Sequence, residues 1–189
     1  HDVHFSRYIG LPDVYQIKRA GTECGIVGKH AFVAVDQTAY WMGLNSFWIW
    51  MGYAEPLQCS IQDDVFKNIN ETHRSKVWCW HNAPHGEIWF FYPRGVATEC
   101  SHAAIYVYRG QPHWNHVTLA RNCGFSAGTF SWPVLVTSAG AMNKHEFGYS
   151  YGGAERLRLC EIRAHHAQER NIRLLVASTQ ADRNTYVHF

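Results

Sequence analysis

The chain has 189 residues, with 17 lysines and arginines against 15 aspartates and glutamates, a formal net charge of +2. So even a balance gives no global field for nucleic acid or an anionic membrane, and no apolar run approaches the ~20 residues that cross a bilayer. Charged residues make up only 17%, aromatics 15%, and eight residues are tryptophan, which favours a β-rich chain with large buried or interfacial surfaces.

The opening HDVHFSRYIG lacks the charged-then-apolar layout of a secretory signal. It begins at His1 rather than methionine, and the chain is expected to be a segment of a longer protein. GTECGIVGKH (21–30) comes next. It nearly mimics a phosphate-binding loop, but His30 stands where serine or threonine belongs, and the stretch leads into a strand instead of a helix. Its glycines are read as turn positions with positive φ. Cys24 lies within it but lacks the layout of a nucleophile elbow.

Strand alternation then dominates. HAFVAV (30–35), the polar turn DQT, AYWMG and, after GLN at 43–45, SFWIWMG follow in succession. In the last of these Phe47, Ile49 and Met51 face one way, Trp48 and Trp50 the other. Gly52 opens a turn before AEPLQCSI. The segment DDVFKNINETHRSK (63–76) is the one helical pattern, with Val65, Ile69 and Phe66 as its apolar stripe and an acidic start suited to the helix dipole. KVWCWHN (76–82), EIWFFYP (87–93), AAIYVYRG (103–110) and HWNHVTLAR (113–121) restore the alternation, and TFSWPVLVTSAG, AMNKHEFGYSYGG and NIRLLVAST (171–179) repeat it more loosely.

The expected fold is therefore all-β, a β-propeller or partial propeller of antiparallel meander blades with one short helical insertion near 63–76. Candidate blades cover about 29–60, 76–121 and 130–153, with 154–189 starting a further blade or extension, the whole forming one propeller-like region over 1–189. Strands apolar on both faces need cover on both faces, which stacked blades supply. Trp41, Trp48, Trp50, Trp78, Trp80, Trp89 and Trp114 are accordingly assigned to structural packing.

The residues that could carry chemistry read as structural. Thirteen histidines include His113/His116 and His165/His166, but a spacing of three in a strand points two imidazoles to opposite faces, so no metal site is expected. Glu87, Glu99, Asp63 and Asp64 are not brought together by any pattern, so no catalytic carboxylate pair is expected. The six cysteines lack any CxxC spacing and are read as mostly buried thiols of a reducing compartment. No catalytic residue and no cofactor are expected. Arg156, Arg158, Arg163, Arg170 and Arg173, mixed with Glu155, Glu161 and Glu169, form the one basic-rich region, a candidate interface or channel face.

The succession GTECGIVGKHAFVAVDQTAYWMG, LQCSIQDDVFKNIN, GEIWFFYP and HWNHVTLAR resembles the tail hub or nozzle proteins of short-tailed bacteriophages. The matching positions are Cys24-Gly25-Ile26, Trp41-Met42-Gly43, Leu57 to Phe66, Glu87 to Pro93 and Trp114 to Arg121, with HEFGYSYGG (145–153) similar to a later stretch. The resemblance runs from about residue 20 to 155 in matching order. It implies a propeller subunit whose copies form a ring, by resemblance a hexamer, that extends the DNA channel, retains packaged genome and conducts it during ejection. Implied partners are portal or adaptor proteins, tail fibre or needle proteins, and passing double-stranded DNA, with no membrane. The implied location is the virion tail, assembled in the host cytoplasm. Known members are longer, so a partial propeller here would have an open edge and an uncovered aromatic face, to be covered by further chain or by neighbouring subunits. The alternative is a glycan-binding or glycan-hydrolysing propeller. A cellular propeller scaffold ranks third.

Overall fold

The computed structural model describes residues 2–126 and 131–145, together with two short antiparallel pairs, Ser150–Tyr151 with Ala154–Glu155 and Arg173–Leu174 with Val187–His188. The chain divides into two units, His1–His145 and Glu146–Phe189. The expected strand 171–179 and the region from Arg156 to Arg173 lie outside the described residues apart from those pairs.

The first unit is built of antiparallel sheets. A hairpin pairs β1 (Val3–Tyr8) with β2 (Tyr15–Gly21). Next comes a four-stranded meander of β3 (Phe32–Val35), β4 (Thr38–Met42), β5 (Phe47–Trp50) and β6 (Ala54–Leu57). A second meander holds β7 (Trp78–Asn82), β8 (Glu87–Tyr92), β9 (His102–Val107) and β10 (His113–Thr118). A three-stranded sheet follows, β11 (Cys123–Phe125), β12 (Val134–Val136) and β13 (Met142–Lys144). This last sheet opens at Cys123, ahead of the boundary near 130 read from the sequence. Among the described residues the sheets form an open stack, not a closed ring.

Alternation decides how the sheets stack. One face of β3–β6 and one face of β7–β10 meet in a core containing Tyr40, Met42, Phe47, Ile49, Phe90 and Tyr92. The opposite face of β7–β10 sends Trp78, Trp80, Phe91 and Ala103 into a second core with Leu135 of β12. The middle sheet is thus buried on both sides, which is why EIWFFY is apolar at consecutive positions. Cross-strand aromatic pairs knit each sheet: Trp41 stacks on Trp48 at 6.2 Å and Trp78 on Phe91 at 4.5 Å. Met51 departs from the expected alternation. It is exposed in the turn closed by Met51 N–H donating to the Tyr53 carbonyl.

First strands lie beside first strands. The Cys79 amide donates to the His30 carbonyl at 2.9 Å, next to a parallel bridge between His30 and Trp78. The glycines of 21–28 do not adopt the positive φ expected of them. That conformation falls on Glu23, at φ 57°. Gly28 is instead required by close approach, since a Cβ there would lie 2.7 Å from the Ser75 carbonyl oxygen. Because that neighbour is backbone, Gly28→Ala is expected to cost about 1–3 kcal/mol as an overpacked contact, read as a lowered urea midpoint with unchanged m-value.

The helix is shorter than the sequence suggests. Expected over 63–76, it runs as α1 from Gln62–Asn68, and a single 3-10 turn forms later at Arg74–Lys76. The chain leaves the helix because its next backbone groups are claimed by a distant loop. The Gly95 amide donates to the Asn68 carbonyl, Ile69 bridges Arg94, and the Asn70 amide donates to Pro93. These tertiary pairings outweigh local helix propensity.

Candidate interaction surfaces

The tryptophans differ in what their polar edges do. Trp41 Nε1 donates to the Cys24 carbonyl at 2.7 Å, Trp78 Nε1 to the Arg121 carbonyl at 2.9 Å, and Trp114 Nε1 to the Gln58 carbonyl at 2.7 Å. Trp80 Nε1 donates to Ser126 Oγ, which itself donates to the His81 carbonyl. Trp89 Nε1 donates to Glu87 within its own strand. Indoles from the sheets therefore bind the connecting segments as well as filling the cores. Trp48 and Trp50 are only half-buried on the outer face of β3–β6, and Trp132 is 38% exposed.

The carboxylates weighed as catalytic candidates each have a separate local partner. Asp63 takes Lys67 at 2.7 Å, and Glu87 accepts from Asn82 and Trp89. Glu99 takes Lys76 and Asn122, while Asp64 is bound by both terminal nitrogens of Arg94 at 2.6 and 2.7 Å. Cys24 is buried, and Cys123 is exposed. Burial pushes the Cys59 and Cys100 thiols up to about 12, far from the low-pKa setting of a reactive cysteine. Four of the five candidate basic residues, Arg156, Arg158, Arg163 and Arg170, fall outside the described residues, and of Arg173 only its strand position is described.

Sequence reading missed the cluster around Asp64–Arg94. Its members come from α1, β8, the loop after β8, β9 and β10, so no local spacing announces it. Tyr92 Oη and His116 Nε2 share a hydrogen bond of 2.8 Å, Arg94 Nη1 is 3.4 Å from Tyr92 Oη, and His116 Nδ1 lies 4.0 Å from Asp64. The His102 and His116 rings stack at 5.3 Å. His113, by contrast, turns its Nδ1 to the Gln111 carbonyl.

Hydrogen bonds from Arg94 hold the Asp64 carboxyl below the ordinary carboxylate range. Burial lowers both histidines. For His102 the neighbouring His116 and Arg94 add to this, for His116 Arg94 does, and Asp64 opposes it in both. A lowered histidine pKa means the folded chain resists protons that the unfolded chain accepts. The stabilisation is complete above the unfolded value of about 6.5 and is lost as pH falls from there through the folded values. Thermal scans between about pH 7 and about pH 5 are expected to give a falling midpoint, with a flatter slope in His102→Gln/His116→Gln.

An open groove of ≈ 1040 Å³ runs along the edge of the first core. Tyr40, Tyr106, Tyr108, Trp114, Glu55 and His113 line it. Tyr106 and Trp114 rings are 5.0 Å apart, and Tyr108 Oη is 2.9 Å from His81 Nε2. Glu55 is the one carboxylate among its described lining residues. The groove offers aromatic faces and phenol hydroxyls without the facing acid pair that glycoside cleavage uses.

No protein-family model matches the chain, and no curated protein matches it.

Proposed function

We propose that the chain is a β-propeller structural subunit of a short-tailed phage tail, hub or nozzle. In this reading its copies form a ring that extends the DNA channel. The observation that carries the reading is the stack itself. Meander sheets pack face to face, their first strands starting at Phe32, Trp78 and Cys123, a pitch of roughly 45 residues suited to propeller blades. The order of motifs from Cys24 to Arg121 adds the phage tail to that geometry. The mechanism is mechanical: a rigid wall of doubly covered sheets retains packaged DNA and lets it pass. Contacts between subunits close by rotation.

Light scattering and electron microscopy of the purified protein test this. The expected result is a rotationally symmetric particle with a central hole. A monomer at every concentration would remove the ring from the proposal.

The aromatic groove favours a second reading, glycan binding. It predicts that tryptophan fluorescence responds to a neutral oligosaccharide such as maltotetraose and that Trp114→Ala abolishes the response. A flat titration disposes of it.

A further inference from the structure

In both four-stranded sheets chain order runs without a crossover, β3-β4-β5-β6 and β7-β8-β9-β10. In each, the last pair is a hairpin, β5–β6 or β9–β10, whose final strand leads into the first strand of the next sheet. The β1–β2 hairpin occupies the same place in that sequence, because β2 leads through residues 22–31 into β3. It also lies where a last pair should lie. A Cβ on Gly21, the end of β2, would be 2.9 Å from the Ala54 Cβ at the start of β6, so last strand neighbours last strand, just as first neighbours first at His30 and Trp78.

The hairpin thus has the position of a half-sheet. Nothing among the described residues pairs with β1 on its side away from β2. Tyr8, Tyr15 and Ile17 are 63–70% exposed. Beside it, the outer face of β3–β6 has a cross-strand row of Phe32, Trp41, Trp48 and Pro56, flanked by Ala34, Ala39, Trp50 and Ala54. This face carries no charge, and Phe32 is 53% exposed.

We infer that the β1 edge and this face accept two further antiparallel strands, supplied by the same polypeptide ahead of β1. They complete a four-stranded sheet over Phe32 and Trp48. The inference rests on the propeller part of the proposed function, and it identifies which sheet is incomplete and where its missing pair belongs. Strand order fixes the source, since in both complete sheets the first two strands precede the last hairpin. Area points the same way. Four strands ~4.8 Å apart and four residues long present roughly 250 Å², well under the ~800 Å² per partner of a stable association between separate molecules. A tethered strand pair avoids the entropy cost of association and needs no such area.

The test is hydrogen exchange by mass spectrometry on the 189-residue chain and on the polypeptide extended upstream of His1, each with and without Phe32→Asp. The expected result is β1 amides exchanging at least tenfold more slowly in the extended form alone, with Phe32→Asp removing that protection. Equal exchange in both forms overturns the inference. So does protection of the 189-residue chain that rises with concentration, which would identify a second copy, or protection already complete at dilution, which would identify the chain's own later residues. A ring with unprotected β1 fails this inference and leaves the ring proposal standing. Protected β1 in a monomer does the reverse.

Discussion

Phe47→Ala is expected to lose about 3–5 kcal/mol of unfolding free energy, the range for emptying a large aromatic site in a core. Phe47 is fully buried, and rings surround it: Trp114 at 4.5 Å, Phe90 at 4.8 Å and Phe66 at 5.2 Å. Phe66 belongs to α1 and Phe90 and Trp114 to the second meander, so one truncation loosens the helix and both sheets together. Those three neighbours are held by elements that have their own hydrogen bonds and cannot all collapse inward, which places the cost in the upper part of that range. Phe47→Leu should fall between the wild type and alanine. Phe125→Ala, at a residue 45% exposed, should stay within about 0.5 kcal/mol. Urea denaturation followed by circular dichroism separates the three. A Phe47→Ala midpoint close to that of the wild type would mean that the first core does not hold the sheets together.

Trp78→Ala has the second large effect, on the opposite face of the same sheet. The indole stacks on Phe91 with planes 7° apart and donates to the buried Arg121 carbonyl. Alanine loses the packing, about 3–5 kcal/mol, and leaves the carbonyl without that donor. Trp78→Phe keeps a ring and loses the donor, so its smaller cost, about 1–3 kcal/mol, isolates the hydrogen bond. Near-ultraviolet circular dichroism should report the loss of the stacked pair in alanine and its partial survival in phenylalanine. Equal stability of the two variants would mean that the ring contributes nothing beyond the hydrogen bond, and a phenylalanine variant as stable as the wild type that the hydrogen bond contributes nothing beyond the ring.

The meanders were legible in the sequence because period-two alternation with both faces apolar has few solutions. EIWFFY lies between two other layers, as its consecutive apolar positions require, whereas FWIW sends Phe47 and Ile49 into the first core and leaves Trp48 and Trp50 half-buried on an outer face. The β1–β2 hairpin was not legible. VHFSRY and YQIKRAG mix Arg7, Lys18 and Arg19 with apolar residues, and such alternation does not define a buried face. The end of α1 was hidden for a different reason: Asn68, Ile69 and Asn70 give up helical bonding to pair with residues 93–95, a bargain struck at long range. The Asp64–Arg94 cluster was invisible in the same way, since its partners are 30 residues apart. The aromatic groove was half visible. Tyr106, Tyr108 and Trp114 were evident as strand residues, but the gap they line exists only once the two meanders are stacked.

Layers held only by oily contact can slide, since dispersion forces have little directional preference. The indole N–H groups of Trp41, Trp78 and Trp114 each reach one particular carbonyl on another segment, and a shift of one residue would break that match. They act as dowel pins between a sheet and the segments that connect the sheets. Lateral thrust on the edge formed by the first strands would therefore meet a stiff, indexed joint instead of a viscous one, up to the load at which the pins shear.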